Sequence, residues 1–371
     1  MSGQVKIRLF ASADPSYAVF SVASGQYRMD FYRQKALILK KGDMVIISEM
    51  NGKLALKMMT SPSVACDSVS FLQYSGNDTF TLRINGKSPS RQTYSGDLKC
   101  IPDLETLLCI NTCDIESYVA GVVKAESGVG KNIEYCKTQA IIARTFLYNN
   151  FNKHTPDGYN LCDNTHCQVF SGITSDTMIN RASELTRGMV ILAPDSSLAI
   201  AAFHSNCGGE TSPAEYVWLS SQSYLKSVND PWCTASRNAS WAKTLSFNSF
   251  VSYLLRSGFK GDTSNRLQFN FLPTTRQRDY HTGSFTLPMG LIRKDLNLRS
   301  AYFTVRVAGD SVLLQGRGYG HGVGLCQEGA MVMAERGYNF SQILKFYYSG
   351  IIIAEISRAV SRTGTTDNDK Y

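Results

Sequence analysis

The sequence has no run of about 20 apolar residues, the length a membrane-crossing helix needs, so no segment reads as a transmembrane span. Its opening, Met1-Ser2-Gly3-Gln4-Val5-Lys6, lacks the apolar stretch and small-residue cleavage site of a secretory signal. Either the protein is cytosolic or its export signal is missing from this version of the chain. No internal repeat and no low-complexity tract is found. Charge of one sign is scarce: 38 Lys and Arg against 30 Asp and Glu leave a net +8. That excess suits an anionic polymer, nucleic acid or cell-wall glycan, and is too small to choose between them. The basic residues are dispersed and no nucleic-acid module is visible, so nucleic acid is not expected as a partner. What is present is a globular composition, 43% hydrophobic and 18% charged over 371 residues, which excludes a disordered or fibrous chain. Ten cysteines exceed what packing requires but form no dense framework of the small-secreted-domain kind.

Along the chain, residues 5 to 9 alternate apolar and basic, the period of a half-buried strand. Further strands are predicted at 36–40, 44–47, 54–59 and 80–84, with tight turns at Asn51-Gly52 and Asn85-Gly86. Residues 1–100 therefore read as a β-rich lobe. From Asp114, a plausible N-cap, Ile115, Tyr118, Val119, Val122, Val123 and Glu126 fall on one helical stripe, broken at Ser127-Gly128-Val129-Gly130. A second helix is predicted from about 133 to 151, capped by Asn132 and buried along Cys136, Ala140, Ala143 and Leu147. The apolar run 198–203 reads as a buried strand. Residues 229–300 look like an inserted or substrate-side lobe without strong chemistry. A hairpin 302–315, helices near 327–336 and 340–348, and a strand 351–356 close the catalytic region, 101–357. The polar residues 358–371 read as a frayed tail.

Four constellations could carry chemistry. Glu126 lies four residues after Val122 and seven after Val119, so its carboxylate shares an apolar face. It is either a general acid with a raised pKa or a buried Glu tied to Arg or the backbone. Cys162, His166 and Cys167, with His154 upstream, can complete a tetrahedral zinc shell. A Cys162–Cys167 disulfide or two packed thiols are the rival readings. The His204–Thr211 loop could meet a ligand with backbone N–H groups, or present Cys207 beside His204 as a thiol nucleophile, or be a plain Gly-Gly turn. Gly316–Gly324 holds glycines around His321 but matches neither the dinucleotide fingerprint nor a nucleotide loop. It reads as backbone approaching a ligand, as a glycine-packed crossing, or as both.

Together these segments resemble the stage II sporulation protein D/LytB (SpoIID/LytB) family of bacterial cell-wall proteins. The likeness rests on five ordered motifs: residues 116–126 ending in Glu126, residues 137–145 with Arg144, the 162–167 loop, residues 203–211 with Val217-Trp218 and Tyr224-Leu225, and residues 318–327 with Gly329-Ala330. The chain departs from the family pattern at Ser127-Gly128, where Met-Pro is frequent, at Cys136, and at Cys207 and Cys326, where Ser is common. A Cys207–Cys233 disulfide is one reading of these departures.

The resemblance implies an α+β lytic transglycosylase acting on peptidoglycan, with a cleft between the lobes and Glu126 as acid and then base. It implies substrate binding by Arg144, Gln139, His204, Ser205, Gly208, Gly209, Thr211 and His321. It also implies a structural Zn2+ on His154, Cys162, His166 and Cys167, and a location in the envelope outside the cytoplasmic membrane. A non-catalytic glycan-binding activator of a cell-wall amidase is the rival reading, and a zinc hydrolase cutting the peptide part is a second.

Overall fold

The computed structural model describes residues 3–31, 36–59, 62–84, 92–128, 130, 132–218 and 220–357. The turn expected at Asn85-Gly86, Val129 of the glycine break and the expected tail 358–371 lie outside those residues. The fold is α+β, and the chain divides into two compact units, residues 1–189 and 190–371.

The first unit holds two sheets. One runs in the order Leu161–Cys162, Gln4–Leu9, Thr106–Asp114, Asp97–Asp103, Val69–Gln73, Gln26–Phe31, Leu37–Lys40. Its pairings are antiparallel except for Ile7↔Leu161 and Arg8↔Cys162, which are parallel. The other runs Gln92–Ser95, Thr79–Ile84, Tyr17–Ser24, Met44–Met50, Lys53–Met58, Val64–Cys66. Alternation puts Val5, Ile7 and Leu9 inward from the first strand. Between the sheets Phe20 stacks on Phe71 at 3.9 Å, and within the second sheet Phe80 stacks on its cross-strand neighbour Tyr94 at 5.4 Å.

Three helices complete this unit: α1 (Ile115–Ser127), α2 (Ile133–Asn149) and α3 (Thr177–Leu185). Asp114 caps α1 by accepting the Glu116 and Ser117 N–H groups at 2.9 and 3.0 Å, and Asn132 caps α2 in the same way. The buried stripe of α1, Tyr118, Val119, Val122 and Val123, joins Cys136, Ala140, Ala143 and Leu147 of α2 in the core that runs on into the sheets.

In the second unit a three-stranded antiparallel sheet, in the order Ser240–Ser246, Ser311–Arg317, Phe303–Ala308, packs with α4 (Phe247–Arg256) and α5 (Met289–Asp295) around its own apolar core. Helices α6 (Gln327–Glu335) and α7 (Phe340–Tyr347) follow. The expected strand over 198–203 is not formed. Only Phe203–His204 is strand, paired in parallel with Leu325–Cys326. Ala199 and Ala201 are buried all the same, and an apolar run this short cannot distinguish a strand from packed irregular chain.

Candidate functional site

Glu126 sits in the last turn of α1, where the helix leaves the core, and is half-buried. Burial raises its carboxyl pKa above the ordinary range, partly offset by a backbone hydrogen bond from Val169. Among the described residues no ion pair involves it. The segment that supplies Val169 lies flat on α1. A Cβ at Gly121 would meet the Gly172 carbonyl oxygen at 2.4 Å and the Phe170 ring at 2.5 Å, so glycine permits the approach. Phe170 packs on Tyr118 with centroids 5.0 Å apart, and the Tyr118 hydroxyl donates to Gln168 at 3.4 Å.

The same segment begins in the cysteine–histidine loop. Its base is fixed to the sheet by Cys162 opposite Arg8 and by Asp163, which accepts from the N–H groups of Phe10 and Ala11 at 2.5 and 3.0 Å. Ligand atoms of His154, Cys162, His166 and Cys167 all lie within 4.8 Å of one another. Cys162 Sγ is 3.6 Å from His166 Nδ1, and Cys167 Sγ is 3.6 Å from His154 Nε2 and 3.9 Å from His166 Nδ1. A tetrahedral ion with bonds of about 2.0–2.3 Å needs edges of roughly 3.3–3.8 Å, so these residues fit a zinc-class cation. His154 turns its other nitrogen, Nδ1, to Asp157 Oδ2 at 3.4 Å and stacks on Tyr159 at 5.0 Å. A second-layer carboxylate of this kind orients a ligating imidazole.

Arg144, expected to bind substrate, is fully buried. Its Nε donates to Glu116 Oε1 at 3.0 Å and Nη2 pairs with Glu116 Oε2. The carbonyls of Ser183, Met189 and Ala140 accept its remaining N–H groups. With every donor occupied, the guanidinium has none to offer a ligand. Glu116 in turn accepts from Ser183 Oγ at 2.8 Å, so the pair ties α1, α2 and α3 together. Gln139 is likewise buried, its Nε2 without a partner among the described residues.

In the second unit the glycine-rich loop is a packed crossing. Gly318, Gly320, Gly322 and Gly324 have positive φ, and Cβ atoms on Gly318 or Gly324 would strike the Asn206 and Ala202 carbonyl oxygens at 2.5 and 2.1 Å. This crossing brings His321 beside His204, ring centroids 5.6 Å apart, and beside Trp218 at 5.9 Å. His321 Nδ1 accepts the Val323 N–H, whereas His204 Nδ1 lies 3.1 Å from the Val323 carbonyl oxygen and therefore carries a hydrogen. Burial pushes His204 well below its ordinary pKa and His321 down to about 4. The unfolded chain therefore takes these protons first, and stability is lost as pH falls from about 6.5 toward 4. The expected cost is on the order of 1.4 kcal/mol per pH unit for each histidine. The three tryptophans, 218, 232 and 241, all lie in this unit, so urea unfolding followed by their fluorescence reads it. A midpoint unchanged between pH 6.5 and 4.5 would contradict the two neutral imidazoles.

His321 opens on a hollow of about 190 Å³ with Ser212, Tyr216, Arg276, Arg278 and Arg293. Ser205 lines a neighbouring hollow with Arg237, Asn238, Arg293, Arg299 and Tyr319. Gly208 and Thr211, expected to meet a ligand, are buried and engaged internally, and Gly209 is partly exposed. The Gly208 N–H donates to Asn206 Oδ1 at 2.7 Å, and the Gly209 N–H is directed at Cys233. Thr211 is fully buried, its hydroxyl accepting from Val228 at 2.8 Å. His204 is too deep to present its ring to solvent. Nor does Cys207 pair with His204: its Sγ faces Cys233 at 3.3 Å and Asp230 at 3.2 Å, which removes the thiol-nucleophile alternative. All ten cysteines are free thiols, so neither disulfide considered above is formed.

Comparison with known proteins then decides the family. The family model described as "SpoIID: Stage II sporulation protein" matches residues 104–192. The stage II sporulation protein D of Bacillus subtilis is 31% identical over 264 residues, 66% of this chain and 76% of that protein. That of Bacillus amyloliquefaciens is 30% identical over 276 residues, 68% of this chain and 78% of the relative. This chain belongs to the SpoIID/LytB family. An amidase enhancer of Bacillus subtilis is also similar, 28% identical over 62% of this chain and 39% of its own length. Membership of the SpoIID/LytB family gives the chain a cell-wall-related role. No helix among the described residues is long and apolar enough to cross a membrane.

Within this SpoIID/LytB chain, sequence reasoning missed Arg276 and Arg293, which lie in the 229–300 stretch read as chemically quiet. Arg276 is buried, donates to the Cys207 and Glu210 carbonyls at 2.6 Å each, and lies 4.7 Å above the Tyr302 ring. Burial lowers the Arg293 pKa from its ordinary value. Neither carries a local signal, because an isolated arginine, in a loop like Arg276 or on a short helix like Arg293, reads as solvated surface. The family motifs also contained Glu116, but only the fold shows it to be Arg144's partner.

Proposed function

We propose that the chain is a peptidoglycan lytic transglycosylase of the bacterial envelope, with Glu126 as its acid and then its base. The observation that carries this reading is a half-buried carboxyl with a raised pKa and no ion pair among the described residues, on a helix matched to the family. A protonated Glu126 would give its proton to the glycosidic oxygen between N-acetylmuramic acid and N-acetylglucosamine while the C1–O bond breaks through an oxocarbenium-like state. The carboxylate left behind then takes the proton of the muramic C6 hydroxyl, and O6 closes on C1. One bond forms for the one that breaks, no water is consumed, and the acid is regenerated. A second catalytic carboxylate is therefore unnecessary.

Within the second unit itself, Ser205, His321 and the arginine-lined hollows are proposed to bind glycan, holding sugar hydroxyls, acetamides and the muramic carboxylate. The neutral His321 suits hydrogen bonding to sugar, and Arg293 suits an anion. A zinc ion on His154, Cys162, His166 and Cys167 is proposed to be structural, since four protein ligands close its shell. Through Gln168 and Val169 that loop reaches Glu126, so the ion's role is to brace the acid's surroundings. Chelation is expected to lower the melting temperature of the first unit and activity together. Activity lost with the fold intact would favour the zinc-hydrolase reading instead.

The deciding experiment is mass spectrometry of purified glycan strands, with and without stem peptides, after incubation with the protein. New 1,6-anhydromuramic ends support the transglycosylase, and reducing ends mean hydrolysis. Binding of both substrates without cleavage would favour the amidase-activator reading, for which the similar amidase enhancer provides the precedent.

A further inference from the structure

Outside the site described above, the second unit contains a concentration of metal-ligating groups that the proposed reaction does not use. Cys207, Asp230, Cys233 and Cys326 come from three separate segments, and each is fully buried. One ligand atom from each lies within 4.8 Å of the others. Cys207 follows the strand Phe203–His204, Asp230 and Cys233 share a turn, and Cys326 is the N-cap of α6. We propose that these four side chains form a second metal centre, a closed site for one zinc-class divalent ion.

The first argument is charge. Asp230 is buried with no ion pair among the described residues: its Oδ1 accepts the Trp232 N–H at 2.9 Å, and its Oδ2 accepts from the Tyr347 hydroxyl at 3.0 Å and from Cys207 Sγ at 3.2 Å. The nearby guanidinium, Arg276, directs its donors to the Cys207 and Glu210 carbonyl oxygens rather than to any sulfur or to this carboxylate. A buried carboxylate beside three thiols needs protons or a metal cation to balance it.

Backbone donors are turned onto the sulfurs. Cys326 Sγ accepts two backbone N–H groups, from Cys207 at 3.3 Å and from Gly329 at 3.4 Å. Cys233 Sγ faces the Gly209 N–H. Backbone N–H groups turned onto sulfur are the outer layer expected around metal-bound cysteine. At Gly329 a Cβ would meet Asp230 Oδ2 at 2.4 Å and the Tyr347 hydroxyl at 2.3 Å, so the first turn of α6 closes directly over the carboxylate.

Spacing selects one ion. Metal–sulfur bonds of about 2.3 Å give tetrahedral edges near 3.8 Å, within the span these atoms occupy. A disulfide between Cys207 and Cys233 would leave Cys326 and Asp230 without a role. The ion would clamp the 204–211 loop, the 230–233 turn and the start of α6 into one rigid block, with no open position for substrate.

The full chain, purified under reducing conditions without chelator, is expected to hold a zinc equivalent that survives in Cys162→Ser/Cys167→Ser and is lost in Cys207→Ser/Cys233→Ser. Reconstituting the first variant with Co2+ should give cobalt–thiolate charge-transfer bands and intense tetrahedral d–d absorption. If serine variants fail to fold, Asp230→Asn in the otherwise unchanged chain keeps all three thiols. It should surrender one equivalent to a competing chelator about tenfold or more readily than wild type. Absence of metal from folded Cys162→Ser/Cys167→Ser overturns the proposal. So does a Cys207–Cys233 cross-linked peptide in the unreduced protein, or an Asp230→Asn variant that retains metal like wild type.

Discussion

Glu126→Gln is expected to reduce formation of 1,6-anhydromuramic ends by about 10²–10⁴-fold, the range a positioned general acid contributes. The amide keeps the shape of the side chain and can still accept from the Val169 N–H, but it has no carboxyl proton to give. Because Glu126 has no ion pair among the described residues, the variant should unfold at nearly the wild-type urea concentration and bind strands with similar affinity. The pH profile adds a second reading. The acid must be protonated, so kcat/KM is full below its pKa and falls as pH rises through it. Burial places that limb above the usual carboxylate range. End-group analysis across pH measures both effects. Anhydro ends from Glu126→Gln within a few-fold of wild type would remove Glu126 from the chemistry. An activator would instead keep its effect on a partner amidase in this variant.

Arg144→Met is expected to destabilise the first unit by about 3–5 kcal/mol, the cost of leaving one member of a buried ion pair without its partner. Glu116 would remain interior with Ser183 Oγ and the weaker Gly188 N–H at 3.4 Å as its hydrogen-bond donors. The double variant Arg144→Met/Glu116→Leu should recover much of the loss, since no charge is then buried. Urea unfolding of the two variants and wild type at matched m-values measures this. Activity separates a structural role from a substrate contact: folded Arg144→Met should keep a wild-type KM. A single variant as stable as wild type, or a raised KM at full stability, would restore the substrate role expected from the sequence.

Much of the local structure was legible because it is governed by neighbours in sequence. The Asp114 and Asn132 caps, the inward stripe from Tyr118 to Val123, and the hairpin across Gly309-Asp310 each follow from short-range periodicity or turn chemistry. The 198–203 run was misread for the converse reason: Ala199 and Ala201 are buried by distant contacts, and burial alone does not specify a strand. Glu126 was legible as an inward carboxylate, but whether it was tied to a cation could not be read from spacing. Arg144 was expected to bind substrate, yet the fold pairs it with Glu116, 28 residues away.

By itself, then, the sequence determined the family, the α+β class, the position of Glu126 on α1 and the spacing of the four side chains of the 154–167 loop. These depend on residue order and on separations of a few residues. Only the tertiary structure decided which groups are free to act. It buried Thr211 and His204, occupied every donor of Arg144, placed Val169 against Glu126, and set Arg276 and Arg293 about His321. It also drew Cys207, Asp230, Cys233 and Cys326 together across as many as 119 residues. The physical reason is that hydrogen-bond donors and burial are shared among segments distant in sequence, so the availability of a side chain is a property of the packed whole.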